Sequence, residues 1–102
     1  MLFVLFPVLD EGDAPLRMVR EIRALDLPWP VDVTVLDDGS TDGGPVRLRR
    51  AEPDVRVLRH QRPLGAGASL RELIVDALER GQDGDVAVTL EGDGTCDLDA
   101  LA

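Results

Sequence analysis

The chain contains no lysine, and all eleven of its cationic side chains are arginines. That excludes a Schiff-base lysine, a phosphate loop of the G-x-x-x-x-G-K-[ST] type and a lysine serving a phospho-acceptor pocket. There is no tyrosine and only 3% of the residues are aromatic, too few to build a stacking platform for nucleic-acid bases. A single cysteine, Cys96, excludes an internal disulfide and a cysteine zinc cage, and fits a reducing, cytoplasmic compartment. The opening "MLFVLFPVL" has no basic flank and is broken by Pro7, so it reads as a core strand rather than a leader peptide. No stretch approaches the roughly 20 apolar residues of a membrane span. With a formal net charge of −9, the chain repels nucleic acid and anionic membranes. A nucleotide remains compatible with that charge if a divalent cation bridges the two.

What is present is a regular alternation. Its 102 residues suffice for one domain with a modest core. Leu2 to Leu9 is continuously apolar, the pattern of a strand buried on both faces. Asp13 and Pro15 suit a helix start, and Leu16, Val19, Ile22 and Leu25 recur at helical spacing before "DLPWP" ends the helix. Val31 to Leu36 predicts a second strand, residues 45–51 a short helix and Val55 to Leu58 a third strand. Leu70, Leu73, Ile74, Ala77 and Leu78 match the i, i+3, i+4, i+7, i+8 template of a second strong helix. Val86 to Leu90 predicts a fourth strand. Such alternation implies an α/β fold: a Rossmann-like, three-layer, mostly parallel sheet of about four strands with helices on both faces.

The acids are not scattered. Ten of the twenty fall into three groups: Asp10, Glu11 and Asp13; Asp37, Asp38 and Asp42; Glu91, Asp93, Asp97 and Asp99. Each group follows the carboxyl end of a predicted strand, and in an open parallel sheet those ends share the edge where ligands bind. Converging carboxylates must either retain protons or be neutralised by a cation. An oxygen-only donor set favours Mg²⁺ or Mn²⁺. Asp13, Asp42, Asp97 and Asp99 read as helix caps or turn acids, whereas Asp37, Asp38 and Asp93 read as functional.

The stretches "FPVLDEGD", "VTVLDDGSTD", "RHQRPLGAGASLRELIVDAL" and "VAVTLEGDGTCDLDAL" resemble, in order and spacing, family 2 glycosyltransferases of the GT-A fold. The closer resemblance is to the dolichyl-phosphate mannosyltransferase-like and polyprenyl-sugar branch. It covers the nucleotide-binding half of such an enzyme, so residues 1–102 are expected to form a single nucleotide-sugar-binding domain, truncated at its C-terminus. The resemblance implies that Pro7 and Glu11 lie against the nucleotide base, with Asp10 in place of the usual Asn. It implies that Asp37 bonds the base or ribose, with Asp38 as its partner, Gly39 making the turn, and Ser40 and Asp42 completing the motif. Gly65, Gly67 and Ala68 resemble the glycine loop. Arg62 replaces the usual Asn there and either pairs with the diphosphate or faces solvent. Glu91-Gly92-Asp93 fills the D-x-D slot, which makes Asp93 the metal ligand and Glu91, with its longer arm, a nucleotide or sugar contact. The implied partners are a UDP- or GDP-sugar and a polyprenyl-phosphate or glycan acceptor, at the cytoplasmic face of the membrane in the whole enzyme.

Other readings fit less of the chain. "GAGASL" lacks the third glycine of a dinucleotide loop. Ser40, Ser69 and His60 have no G-x-S-x-G around them, and His60 reads as a loop residue. A receiver-type signalling domain would place its acid pair after the first strand. The serious rival is a non-catalytic or truncated nucleotide-binding module acting through a partner or a missing half. Such a fragment exposes apolar surface, which predicts a homodimer.

Overall fold

The computed structural model describes residues 1–93. The predicted cap acids Asp97 and Asp99, and Cys96, lie outside the described residues. Among the described residues seven elements alternate: β1 (Leu2–Val8), α1 (Ala14–Ala24), β2 (Val31–Asp37), α2 (Gly44–Ala51), β3 (Arg56–Arg59), α3 (Ala66–Arg80) and β4 (Val86–Thr89). The strands form one sheet in the order β3-β2-β1-β4, and every pairing is parallel. The α/β architecture predicted from the alternation is therefore present.

Side-chain alternation along β1 splits the core in two. Leu2, Val4, Phe6 and Val8 face α1 and α2, where they meet Met18, Val19, Ile22 and Leu48. Phe3 and Leu5 face the other way, onto Leu73 and Ala77 of α3. A strand with packed helices on both sides has to be apolar at every position, which is why the run is continuous. The layering follows from handedness. The chain steps from β1 to β2 to β3 in one direction and then returns past β1 to β4. Right-handed crossovers therefore put α1 and α2 on one face and α3 on the opposite face.

The apolar stripe predicted for α3 is only half used. Leu73 and Ala77 are buried, but Ile74 is 43% and Leu78 75% exposed. They flank a hollow of about 230 Å³ beside β4, whose Val86 is itself 57% exposed. This apolar surface lies at the amino end of β4, away from the ligand edge. What holds the end of α3 down is polar: Arg80 donates to Asp32 and Thr34 of β2 and stacks its guanidinium 5.2 Å from the Phe3 ring centroid. No helix among the described residues is long and apolar enough to cross a membrane.

Phe6 has no exposed surface, so Phe6→Ala is expected to cost about 3–5 kcal/mol in urea unfolding. Leu78→Ala should stay within about 0.5 kcal/mol, as for other exposed positions. An equal loss at both positions would contradict the burial described.

Candidate functional site

Pro7 opens the site. In β1 the odd-numbered backbone groups point toward β4, as the Leu90 N–H bonded to the Leu5 carbonyl demonstrates. Pro7 has no N–H to offer on that side. The β1–β4 register accordingly runs only from Leu2↔Val86 to Leu5↔Thr89, whereas β1 pairs with β2 as far as Val8↔Asp37. The regular ladder between the two strands stops there and leaves a fork at the point where the strand order reverses, although Gly92, just beyond β4, still packs against Pro7. Open α/β sheets bind ligands at such a point.

A cleft of about 250 Å³ occupies this fork. Six of the residues singled out in the sequence line it: Pro7, Glu11, Asp38, Gly65, Glu91 and Asp93. Ala66, in the first turn of α3, lines it too, so the positive end of that helix dipole faces four carboxylates. Gly92 is packed on β1 so closely that a side chain there would strike the Pro7 carbonyl and Val8. That contact holds Glu91 and Asp93 at the rim.

Asp38 organises the wall. Its Oδ1 accepts the Leu64 N–H at 2.9 Å and lies 2.7 Å from His60 Nδ1; its Oδ2 accepts the Gly65 N–H at 3.1 Å. Burial acts to raise the Asp38 pKa, but the Leu64 amide, His60 and the Gly65 amide together outweigh it and hold the carboxyl below its usual 3.8. Gly39 makes the approach possible. Its φ is +86°, and an added Cβ would lie 2.7 Å from the Pro63 backbone nitrogen. Only glycine lets the β2 turn sit this close to the glycine loop.

The other singled-out residues fall elsewhere. Asp37 lies outside the cleft: its Oδ1 accepts the Ser40 N–H at 2.8 Å, and its Oδ2 is 3.8 Å from Arg59. Arg62 is exposed and is absent from the cleft lining. Asp13 holds the N-cap position of α1 but makes no side-chain cap bond, contrary to the sequence reading; Arg47 Nε draws its carboxylate across to α2 at 2.7 Å. Asp42 is not the N-cap of α2 that the sequence reading expects; Gly43 holds that position, and Asp42 precedes it. It accepts N–H groups from Gly44 at 2.9 Å and from Gly12 at 2.8 Å, tying the loop after β2 to the loop after β1, and these two amides lower its pKa. Asp10, where the resembled family has Asn, adopts φ +51° and accepts the Thr41 N–H at 2.7 Å. Asn and Asp are the side chains that best tolerate this backbone, and either presents an oxygen to that amide.

His60 is the residue that sequence reading missed. It follows β3 in a loop, as predicted, but it is buried. Nδ1 meets Asp38, and Nε2 meets Glu72 of α3. The Asp38 bond first, then Glu72, raise its pKa above the usual 6.5, while burial opposes them. A lone histidine in "RHQRP" carries no motif, so no local signal marks its partners.

Among the described residues, no three His, Cys, Asp or Glu side chains converge closely enough to cage a metal. The donor set still fits Mg²⁺ or Mn²⁺ arriving with a diphosphate, because such ions use one or two carboxylates and take their remaining ligands from phosphate and water. Asp93 and Glu91, which fill the slot of the resembled D-x-D pattern, line this cleft.

The sequence matches no protein-family model and no curated protein. Its fold matches a solved structure, the mannosyltransferase PcManGT from Pyrobaculum calidifontis in complex with GDP-Man and Mn²⁺, with a TM-score of 0.68. Identity is 24% over 90% of this chain, which spans 27% of that protein. The fold is thus glycosyltransferase-like.

Two predictions follow from the wall. Gly39→Ala forces a positive φ onto alanine and should lower stability by about 1–3 kcal/mol in urea unfolding; a neutral result would show that the loops part freely. The His60–Asp38 bond also sets a pH dependence. His60, with its pKa raised, stabilises fully below pH 6.5 and loses that contribution as pH rises through its folded value. Asp38, with its pKa lowered, contributes above pH 3.8 and loses it as pH falls through its folded value. Unfolding free energy should therefore decline above pH 6.5 in the parent chain, and His60→Gln should remove most of that slope. A slope that survives in His60→Gln would assign the decline to other groups.

Proposed function

We propose that residues 1–102 form the nucleotide-sugar-binding half of a family 2 glycosyltransferase of the dolichyl-phosphate mannosyltransferase-like branch. The observation that carries this reading is the fork between β1 and β4, where Glu11, Asp38, Glu91 and Asp93 line one cleft with the first turn of α3. The likeness to a fold that holds GDP-Man and Mn²⁺ supports it and favours a GDP-sugar over a UDP-sugar.

In this reading Pro7 and Glu11 lie against the base, while Asp37 and Gly39 shape the turn behind Asp38. Asp38 and Gly65 flank the nucleoside diphosphate, and Arg62 at the loop surface meets it from outside. Glu91 contacts ribose or sugar. Asp93 holds the divalent ion, which neutralises the departing diphosphate when bound. The Ala66 end of α3, which has no side-chain cap bond among the described residues, offers the positive end of its dipole to the phosphates. These residues bind and orient a donor; the attacking oxygen, a glycan hydroxyl or a polyprenyl phosphate oxygen, belongs to the acceptor, and no residue here is assigned to activate it. The acceptor class is a polyprenyl phosphate or a glycan, and the whole enzyme works at the cytoplasmic face of the membrane. The exposed Ile74, Leu78 and Val86 face is where the expected self-association would occur. The rival, a non-catalytic nucleotide-binding module, shares the binding step and differs only in lacking transfer.

Calorimetric titration with GDP-mannose and UDP-glucose tests the reading. GDP-mannose should bind only with Mn²⁺ or Mg²⁺ present. Asp93→Ala should weaken that binding at least about tenfold, the equivalent of one charge-assisted contact. Binding that ignores the metal, or that neither donor achieves, overturns it.

A further inference from the structure

His60 stands between two carboxylates, and this geometry sets its protonation state. A neutral imidazole has one N–H, so its second nitrogen would point a lone pair at a carboxylate. Only the imidazolium donates to Asp38 and Glu72 together. The charged groups around it come from the loop after β2, from β2 itself, from β3 and from α3. The loop after β2 contributes Asp38, and the end of β2 contributes Asp37, whose backbone carbonyl accepts the backbone N–H of His60 at 2.9 Å. Helix α3 contributes Glu72, whose side chain is 51% exposed. Arg59, the last residue of β3, lies beside Asp37. Asp38 alone among these lines the cleft.

We propose that His60 is a positioning residue: as an imidazolium clamped between Asp38 and Glu72, it fixes the Asp38 wall and couples donor binding to one proton. This rests on the nucleotide-sugar reading above. Removing the proton leaves Asp38 and Glu72 without a counter-charge, in a cleft already lined by Glu11, Glu91 and Asp93. Two changes then oppose a nucleoside diphosphate: the field becomes more negative, and the one N–H that is left serves only one of the two carboxylates, so the clamp opens at one end. Affinity therefore falls as pH rises through the His60 titration. By reciprocity the bound nucleotide moves that titration to higher pH by the logarithm of the same factor.

His60 is the chain's one histidine, so its ring resonance can be followed by proton NMR without assignment. The experiment records that titration for the parent chain and for Glu72→Gln, with and without GDP and saturating Mg²⁺, beside GDP affinities over the same pH range. The parent resonance should titrate above 6.5, and Glu72→Gln should move it down. GDP affinity should drop about five- to tenfold across the parent midpoint, and in Glu72→Gln the drop should move with the resonance. A parent titration at or below 6.5 overturns the clamp whatever the ligand does. Intact GDP binding that ignores the His60 midpoint overturns the coupling alone. A raised midpoint with no GDP binding at any pH overturns the nucleotide-sugar reading and the coupling together.

Discussion

The rim of this sheet depends on one buried carboxylate. Asp38 stands at the end of β2, and its two oxygens gather three donors from the segment that joins β3 to α3. A carboxylate taken out of water is unstable unless donors replace the water, so its burial and its hydrogen bonds imply each other. The result joins parts of the chain 22 to 27 residues apart. It sets where α3 begins, and hence where the positive end of that helix dipole lies. Asp42 and Asp10 repeat the device on the neighbouring pair of loops, each accepting amide hydrogens across a gap of about 30 residues.

The sheet supplies what the loops cannot. A two-sided apolar β1 anchors both helix layers, and a proline near its end stops the pairing with β4 on one side only. The cleft is therefore a consequence of topology, at the point where the strand order reverses, with acidic side chains added at its margins. Acids at the ends of three strands reach it because parallel strands end on a common edge.

Much of this was legible in the sequence, for identifiable reasons. The run from Leu2 and the stripe of α1 carry strong periodic signals, and the strands and helices lie within a few residues of where those signals put them. The first turn of α3 is hidden because "AGAS" carries no large apolar residue to mark a periodic stripe, and its glycine reads as loop. The exposed half of the α3 stripe was illegible because periodicity marks an apolar face without saying how much of it a neighbour covers. The adjacent acids Asp37 and Asp38 pose a similar problem. Successive residues at a strand end point in different directions, so only one of the pair reaches the cleft, and composition cannot say which. His60 was read as a loop residue because its partners are 22 and 12 residues away.

The same carboxylates give the molecule an uneven response to acid. Its two core layers are apolar and indifferent to protons. Its loops are held to one another by Asp38 and Asp42, whose pKa values are lowered by the very amides they bind. Protonation dissolves those ties while leaving both core layers intact. On descending into acid, the chain would lose its crevice before it loses its sheet.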